Sequence, residues 1–362
     1  MSQKTDFMNK VESLRRIMKA GGLQGIMVEK QANFSWLTGG RGFIGLASEG
    51  SCASVLITEG AVHLITNNIE APRLRAEEID GLTDIIEVKS NLWYRFQDRE
   101  AIIKEILGSG KYATDTELHG DFRTLRSTLT PLEIERYGEL GRQSAEVVEE
   151  ICRNIRPGVT EFQIAGEVSS SLWALGIEPI TALIAFDGRL LSYRHPIPTG
   201  NKLKKYAMVV VCTRKYGLVA SLTRLVSLGA ADEEIQRKHR AVAAVDACFI
   251  ASTRPGAGVG DIFEKAVTAY RNEGYGNEWE LHHQGGLTGY SAREYIATTA
   301  SKDVVVLNQA FAWNPSIAGT KSEDTIIVES QRNRILTHTG SYPYLEAEFG
   351  GEKILRPDML VL

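Results

Sequence analysis

The tripeptide Arg-Pro-Gly occurs twice in this chain, at Arg156-Pro157-Gly158 and at Arg254-Pro255-Gly256. Each copy follows a long helical pattern and opens a second helix. The first of these carries Val159-Thr160-Glu161-Phe162-Gln163-Ile164 and ends at Gly176. The second carries Asp261-Ile262-Phe263-Glu264 and ends at Gly274. Histidines come after both: His195 after the first, His282 and His283 after the second. A chain with the same order of helix, turn, helix and strand written twice is predicted to fold around a pseudo-twofold axis.

The repeated part has a clear beginning. Thr130 is placed to cap a helix, Pro131 fits its first turn, and Glu133 completes a capping box. Ile134, Tyr137, Leu140, Val147, Val148 and Ile151 then recur at helical spacing, to about Asn154. Before this point the chain reads as a small α/β unit. Phe7, Met8, Val11, Leu14, Ile17 and Met18 mark a helix that Gly21-Gly22 ends. Ile26-Met27-Val28 is a short buried strand. Ala53 to Thr58 and Ala61 to Ile65 flank the turn Glu59-Gly60, as a hairpin does. With 362 residues, two domains are expected at about 150 residues each as a prior. The division is placed at 1–125 and 126–362.

Charge narrows the partners. The chain has 41 Lys+Arg against 45 Asp+Glu, a net charge of −4. That balance offers no footprint for nucleic acid or an anionic membrane. No apolar run approaches the roughly 20 residues that span a bilayer. The start, Met1-Ser2-Gln3-Lys4-Thr5-Asp6, lacks the apolar core of a signal peptide. Cys52, Cys152, Cys212 and Cys248 are scattered, so a reducing cytoplasm is the expected home.

Five stretches carry groups with chemical capacity. They are Ser192 to Thr199 with its His195-Pro196 step, Tyr206 to Cys212 with the following Ser221-Leu222-Thr223-Arg224, the glycine-rich His282 to Tyr290, Phe311-Ala312-Trp313-Asn314-Pro315, and Lys321 to Val328. Singly, each has an ordinary structural explanation: a hydrogen-bonded histidine, a glycine turn, a strand cap. The glycines would also let backbone approach a ligand closely.

Their order resembles the pita-bread family of methionine aminopeptidase, aminopeptidase P, prolidase and creatinase. Asn33-Phe34-Ser35-Trp36-Leu37-Thr38-Gly39 looks like the N-x-x-Y-L-T-G stretch of the domain that precedes the fold in prolidases and creatinases. Arg156 to Glu161 matches the family's pG-x-tE, Thr223-Arg224 the end of its sD-x-TR, His283 with Gly286 its H-x-x-G, and Glu323-Asp324-Thr325 its final EDt. His195 falls where the family has the histidine of its first substrate loop. The resemblance implies an α/β N-terminal domain followed by an α+β pita-bread domain, a curved antiparallel sheet backed by helices. It also implies a homodimer.

The same resemblance exposes departures. Family peptidases hold two divalent metals with Asp, Asp, His, Glu and Glu. Here those positions fall at Cys212, Ser221, His283, Asn314 and Glu323, so three of the five are replaced. The second histidine of the peptidases falls at Tyr290. Two divalent cations need several carboxylates, so no metal cofactor is expected. A single divalent ion on Cys212, His283 and Glu323 stays open. Creatinase, which resembles the peptidases yet hydrolyses a C–N bond without metal, is the precedent.

By that precedent His195 is the expected acid/base group, with His283 and Glu323 beside it. Arg224 would hold a carboxylate with its fork, or form a structural ion pair. Tyr290 is a further substrate-binding candidate. Arg41, in the loop Gly39 to Phe43, could close a partner subunit's site. Arg293-Glu294 could line the pocket or form a surface pair. The expected activity is hydrolysis of a small amino-acid derivative or short peptide, with weak or absent action on Xaa-Pro bonds. A non-catalytic binding module and a lyase on the same fold are the alternatives, and convergence of His195, His283 and Glu323 on one pocket distinguishes the enzyme from the module.

Overall fold

The computed structural model describes residues 1–362 and divides into two compact units. The first comprises Met1–Glu133 with Tyr216–Leu218, the second Ile134–Lys215 with Val219–Leu362.

In the first unit, α1 (Gln3–Ala20) begins where the Ser2 hydroxyl accepts the Thr5 N–H. It buries Phe7, Val11, Leu14 and Met18, one stripe of a 3.6-residue repeat. The sheet contains β1 (Gly25–Lys30), β2 (Gly50–Thr58), β3 (Val62–Asn67), β4 (Ile86–Asn91) and β5 (Tyr112–Thr114), in the order β4-β3-β2-β1-β5. β2 and β3 form the antiparallel hairpin read from the sequence, while β4 and β5 join in parallel. Helices α2 (Gln31–Thr38), α3 (Ala71–Arg73), α4 (Gln97–Leu107) and α5 (His119–Ser127) complete it.

Next comes α6 (Pro131–Asn154). Its capping box forms as the sequence indicates: the Thr130 N–H donates to Glu133 Oε2 at 2.7 Å, and the Glu133 N–H to Thr130 Oγ1 at 3.3 Å. Glu133 also takes Lys10, whose ammonium lies 2.7 Å from Glu133 and 2.6 Å from Asp6. All three are buried.

The second unit carries α7 (Glu161–Trp173), β6 (Glu178–Phe186), α8 (Gly188–Ser192), β7 (Tyr206–Lys215), β8 (Leu218–Ser227), α9 (Glu233–Ser252) and α10 (Val259–Asn272). It continues with β9 (Gly285–Thr288), β10 (Ala310–Trp313), β11 (Ser316–Ile317), β12 (Thr320–Lys321), β13 (Asp324–Ile327) and β14 (Arg334–Ile335). The hairpin β15 (Tyr344–Phe349) and β16 (Glu352–Pro357) and the last strand β17 (Leu360–Val361) follow. Two four-stranded sheets result, β17-β8-β7-β6 and β14-β13-β10-β9. They meet where the Thr223 N–H donates to the Glu323 carbonyl at 3.0 Å and the Ser221 N–H to Thr325 Oγ1 at 2.8 Å. Helices α9 and α10 back the second sheet, and Trp313 stacks against Phe249 and Phe311 in that core.

The repeat extends beyond its tripeptide. The Gly158 N–H donates to the Leu203 carbonyl at 2.8 Å and the Leu203 N–H returns to Val159. The Gly256 N–H donates to Val305 at 2.8 Å and the Val305 N–H returns to Ala257. Both glycines are left-handed, at φ 83° and 88°. The following helices end alike, with Ile177 N–H to Leu172 and Tyr275 N–H to Tyr270 after a left-handed Gly176 and Gly274. No helix is long and apolar enough to cross a membrane.

Candidate functional site

Strand alternation decides which groups of β8 can meet. Successive side chains point to opposite faces. Ser221 and Thr223 share one face, and Arg224 takes the other. The Thr223 hydroxyl donates to Glu323 at 2.8 Å. The Ser221 hydroxyl donates to Cys212 Sγ on β7 at 3.3 Å. At the start of β13 the same alternation separates Glu323 from Asp324. Arg224 and Asp324 therefore meet behind the site, 3.0 Å apart, with Glu149 of α6 also 3.0 Å from the guanidinium. Arg224 is fully buried and fully partnered, its remaining N–H groups donating to the Thr223 and Thr337 carbonyls. This corrects the expectation of a substrate carboxylate on Arg224: the structural ion pair is what forms.

Glu323 is held between two cations. Lys321, buried at the end of β12, lies 2.8 Å from one carboxylate oxygen, and Arg293 lies 3.2 Å from the other. Burial alone would raise this carboxyl. Lys321 and Arg293 outweigh it and hold Glu323 below the usual carboxylate range. Arg293 also reaches the Ser221 hydroxyl at 3.4 Å, while its buried Nε has no partner. Arg293 is thus a group of this cluster, and Glu294 instead accepts the Tyr290 N–H. Tyr290 itself is buried just beyond β9. Asn314, after β10, is buried with its Oδ1 unpartnered. Cys212 is partly exposed, its thiol pushed up by burial and by the Glu323 carboxylate.

Beside this cluster stand three imidazoles. His195 comes from the loop after α8, His282 and His283 from the segment entering β9. His195 Nε2 and His282 Nε2 are 3.1 Å apart, the distance of one shared hydrogen. His283 lies against both, with ring centroids 5.5 Å from His195 and 4.7 Å from His282. One nitrogen from each ring can be chosen so that all lie within 4.8 Å of one another. His282 Nδ1 meets the Ser316 hydroxyl at 3.1 Å, and that hydroxyl also takes a long bond from Arg194. Arg194 is paired with Glu278. His283 Nδ1 accepts the Gly285 N–H at 3.3 Å.

All three imidazoles are held neutral. Burial, then Lys321, lowers His195 and drives His282 far below the ordinary range. Burial and Arg293 lower His283 to about 4. Glu323 acts on His195 and His283 electrostatically, but its bonds go to Thr223, Lys321 and Arg293 rather than to an imidazole. Cys212, His283 and Glu323 do not assemble as a three-ligand metal set. The set that does assemble is His195, His282 and His283. His282 went unassigned in the sequence because its partners, His195 and Ser316, come from segments far along the chain.

The glycine pair serves the chain itself. Gly285 has φ 91°, and a Cβ there would meet the Ala312 carbonyl oxygen of β10 at 2.0 Å. One on Gly286 would meet the Tyr295 carbonyl oxygen at 2.4 Å. The close approach expected for a ligand is occupied by neighbouring backbone. Arg41 belongs to the first unit, where its N–H and guanidinium both bind Glu78.

Residues 135–330 match the model of metallopeptidase family M24, and residues 10–132 that of the creatinase/prolidase N-terminal domain. An uncharacterized peptidase of Staphylococcus saprophyticus is 26% identical over 227 residues, covering 59% of this chain and 64% of that protein. The uncharacterized peptidase YqhT of Bacillus subtilis is 21% identical over 359 residues, covering 91% and 98%. Among solved structures, the Xaa-Pro dipeptidase from Bacillus anthracis superposes with a TM-score of 0.73 at 18% identity, covering 98% of this chain and all of that one. The N-terminal domain of the FACT complex subunit SPT16 from chickpea superposes with a TM-score of 0.69 at 13% identity, covering 93% and 96%. At such identities these likenesses speak to the fold alone, and they agree with the pita-bread expectation.

Proposed function

Because the chain belongs to metallopeptidase family M24, behind a creatinase/prolidase N-terminal domain, we propose that it is a hydrolase that cleaves a C–N bond without the family's pair of metals. The substrate class is a small amino-acid derivative or short peptide, and His195 is the acid/base group. One observation carries the reading: Glu323, the retained carboxylate among the five mapped positions, is already neutralised by Lys321 and Arg293. Cys212, Ser221 and Asn314 supply no further carboxylate. Two divalent ions would add four positive charges beside two fixed cations, with one carboxylate to offset them. The residues do not fit that centre, and no step is drawn through it.

The chemistry then belongs to side chains. A neutral His195 can take a proton from water as the oxygen attacks the acyl or amidine carbon, and return it to the leaving nitrogen as the C–N bond breaks. Negative charge gathers on the substrate oxygen or nitrogen in between. The buried, unpartnered Arg293 Nε–H and the buried Lys321 ammonium are fixed donors for such charge. His283, with Nδ1 occupied by the Gly285 amide, offers its Nε2–H as another. The same reading includes a homodimer and a cytoplasmic, small-molecule enzyme.

The titratable groups gathered here favour an enzyme over a binding module. The decisive assay uses metal-stripped protein against creatine-like and N-acyl amino-acid substrates, with His195→Ala in parallel. Turnover that is lost in the variant is the expected result. Fast cleavage of an Xaa-Pro dipeptide that appears only with added manganese or cobalt would sink the proposal.

A further inference from the structure

We propose that His195, His282 and His283 form a mononuclear site for a borderline transition-metal dication such as Zn2+, and that its occupancy inhibits the enzyme. The inhibition rests on the acid/base reading of His195; the binding does not. His282 is the residue that creates the site. It is absent from the mapped five-ligand set, and its Nε2 stands 3.1 Å from that of His195. Nitrogens bound at 2.0–2.1 Å around a tetrahedral zinc lie about 3.3 Å apart. The pair that shares one hydrogen is therefore spaced to share a metal ion with small adjustment.

His283 supplies the third nitrogen. Its ring is half-buried and tied only by the long bond from the Gly285 amide, so it can turn toward the other two. Ser316 supports the metal-bound form. With a metal on Nε2, His282 must carry its hydrogen on Nδ1, and the Ser316 hydroxyl oxygen accepts it while still accepting Arg194.

The surroundings set the selectivity. Lys321 and Arg293 repel any dication, and Glu323 offsets only one of them. Ions that depend on carboxylate charge, such as Mg2+ and Mn2+, gain too little here. Zn2+, Ni2+ and Cu2+ gain enough from imidazole nitrogen to overcome the repulsion. A metal on His195 Nε2 removes the His282 contact and locks the ring, which blocks proton transfer.

Titration of the metal-stripped full chain with ZnCl2 tests the site without a substrate. The expected result is one ion per chain with a dissociation constant below about 100 μM, no saturable heat with MgCl2, and at least a tenfold loss of affinity in both His282→Ala and His282→Gln. Cys212→Ser should bind as the parent does, and the Co2+ form should show tetrahedral d–d bands without a thiolate charge-transfer band. Absence of 1:1 binding in that range, binding indifferent to both His282 variants while their thermal unfolding stays cooperative, or a thiolate band would overturn the site. Binding together with failure to find any turnover would count against the hydrolase reading and leave the metal site standing.

Discussion

His195 and Arg224 show how differently two charged or titratable residues can be used within one fold. Replacing His195 with Ala should lower kcat by about 10²–10⁴-fold, the usual worth of a positioned acid/base group. In the parent, kcat/KM should fall on the acid side with an apparent pKa below 6.5, since burial and then Lys321 lower this imidazole. An acid limb at or above 6.5 would show that another group sets the protonation state. Arg224→Met is expected to act on stability. It takes one cation from the buried Asp324, which keeps Arg356, and the buried guanidinium from Glu149, which keeps the Thr339 hydroxyl, a loss of about 3 kcal/mol, read as a shifted denaturant midpoint. A folded Arg224→Met protein with raised KM and unchanged stability would restore Arg224 to substrate binding. The chain order placed both residues near the site, and it could not tell their faces apart. Thr223 and Arg224 are neighbours in sequence and opposite in space, and which one faces Glu323 depends on strand pairing a hundred residues away. His282 was hidden for the same reason: its partners arrive from segments that local pattern does not locate.

Elements were legible where their signals are local. The Thr130–Glu133 capping box and the turn between β2 and β3 are each written in a few adjacent residues, and each formed. The glycines divide along the same line. Gly158 and Gly256 occupy equivalent left-handed turns with open space around a would-be Cβ. Ala at either should cost a similar amount, about 1 kcal/mol, because the two turns are copies of one unit. Gly285 differs, since its Cβ would stand 2.0 Å from the Ala312 carbonyl oxygen. Gly285→Ala must part β9 from β10 and is expected to lose several times as much, about 3 kcal/mol or more, or to fail to fold. Chemical denaturation of the three variants checks this ranking. Equal, small effects at all three would mean that the β9–β10 contact yields easily. From sequence the Gly285-Gly286 pair read as room for a ligand, because a glycine reports that something comes close without saying what.

At the scale of the molecule, pH separates two opposed sets of titratable groups. His195, His239, His282, His283 and His338 are all lowered on folding, chiefly by burial. An unfolded histidine titrates near 6.5. Between that value and the folded one, the unfolded chain binds more protons, so stability present above pH 6.5 is lost as pH falls. For His283 the window runs down to about 4. Asp246 acts in reverse. Burial raises it to about 6 against the pull of Arg356, so its protonation in the folded state adds stability as pH falls from about 6 toward 3.8. Asp324, held low by Arg224 and Arg356 against burial, matters only below its unfolded value of 3.8. Five histidines oppose one aspartate through the same interval, and the histidines win. The unfolding midpoint should therefore drop steadily from pH 7.5 to 5, well above the range where ordinary carboxylates titrate. Asp246→Asn should steepen that drop by removing the opposing group. A midpoint that holds level or rises toward pH 5 would mean that the imidazoles are charged in the folded protein, and the neutral His195 that the acid/base chemistry requires would be lost with it.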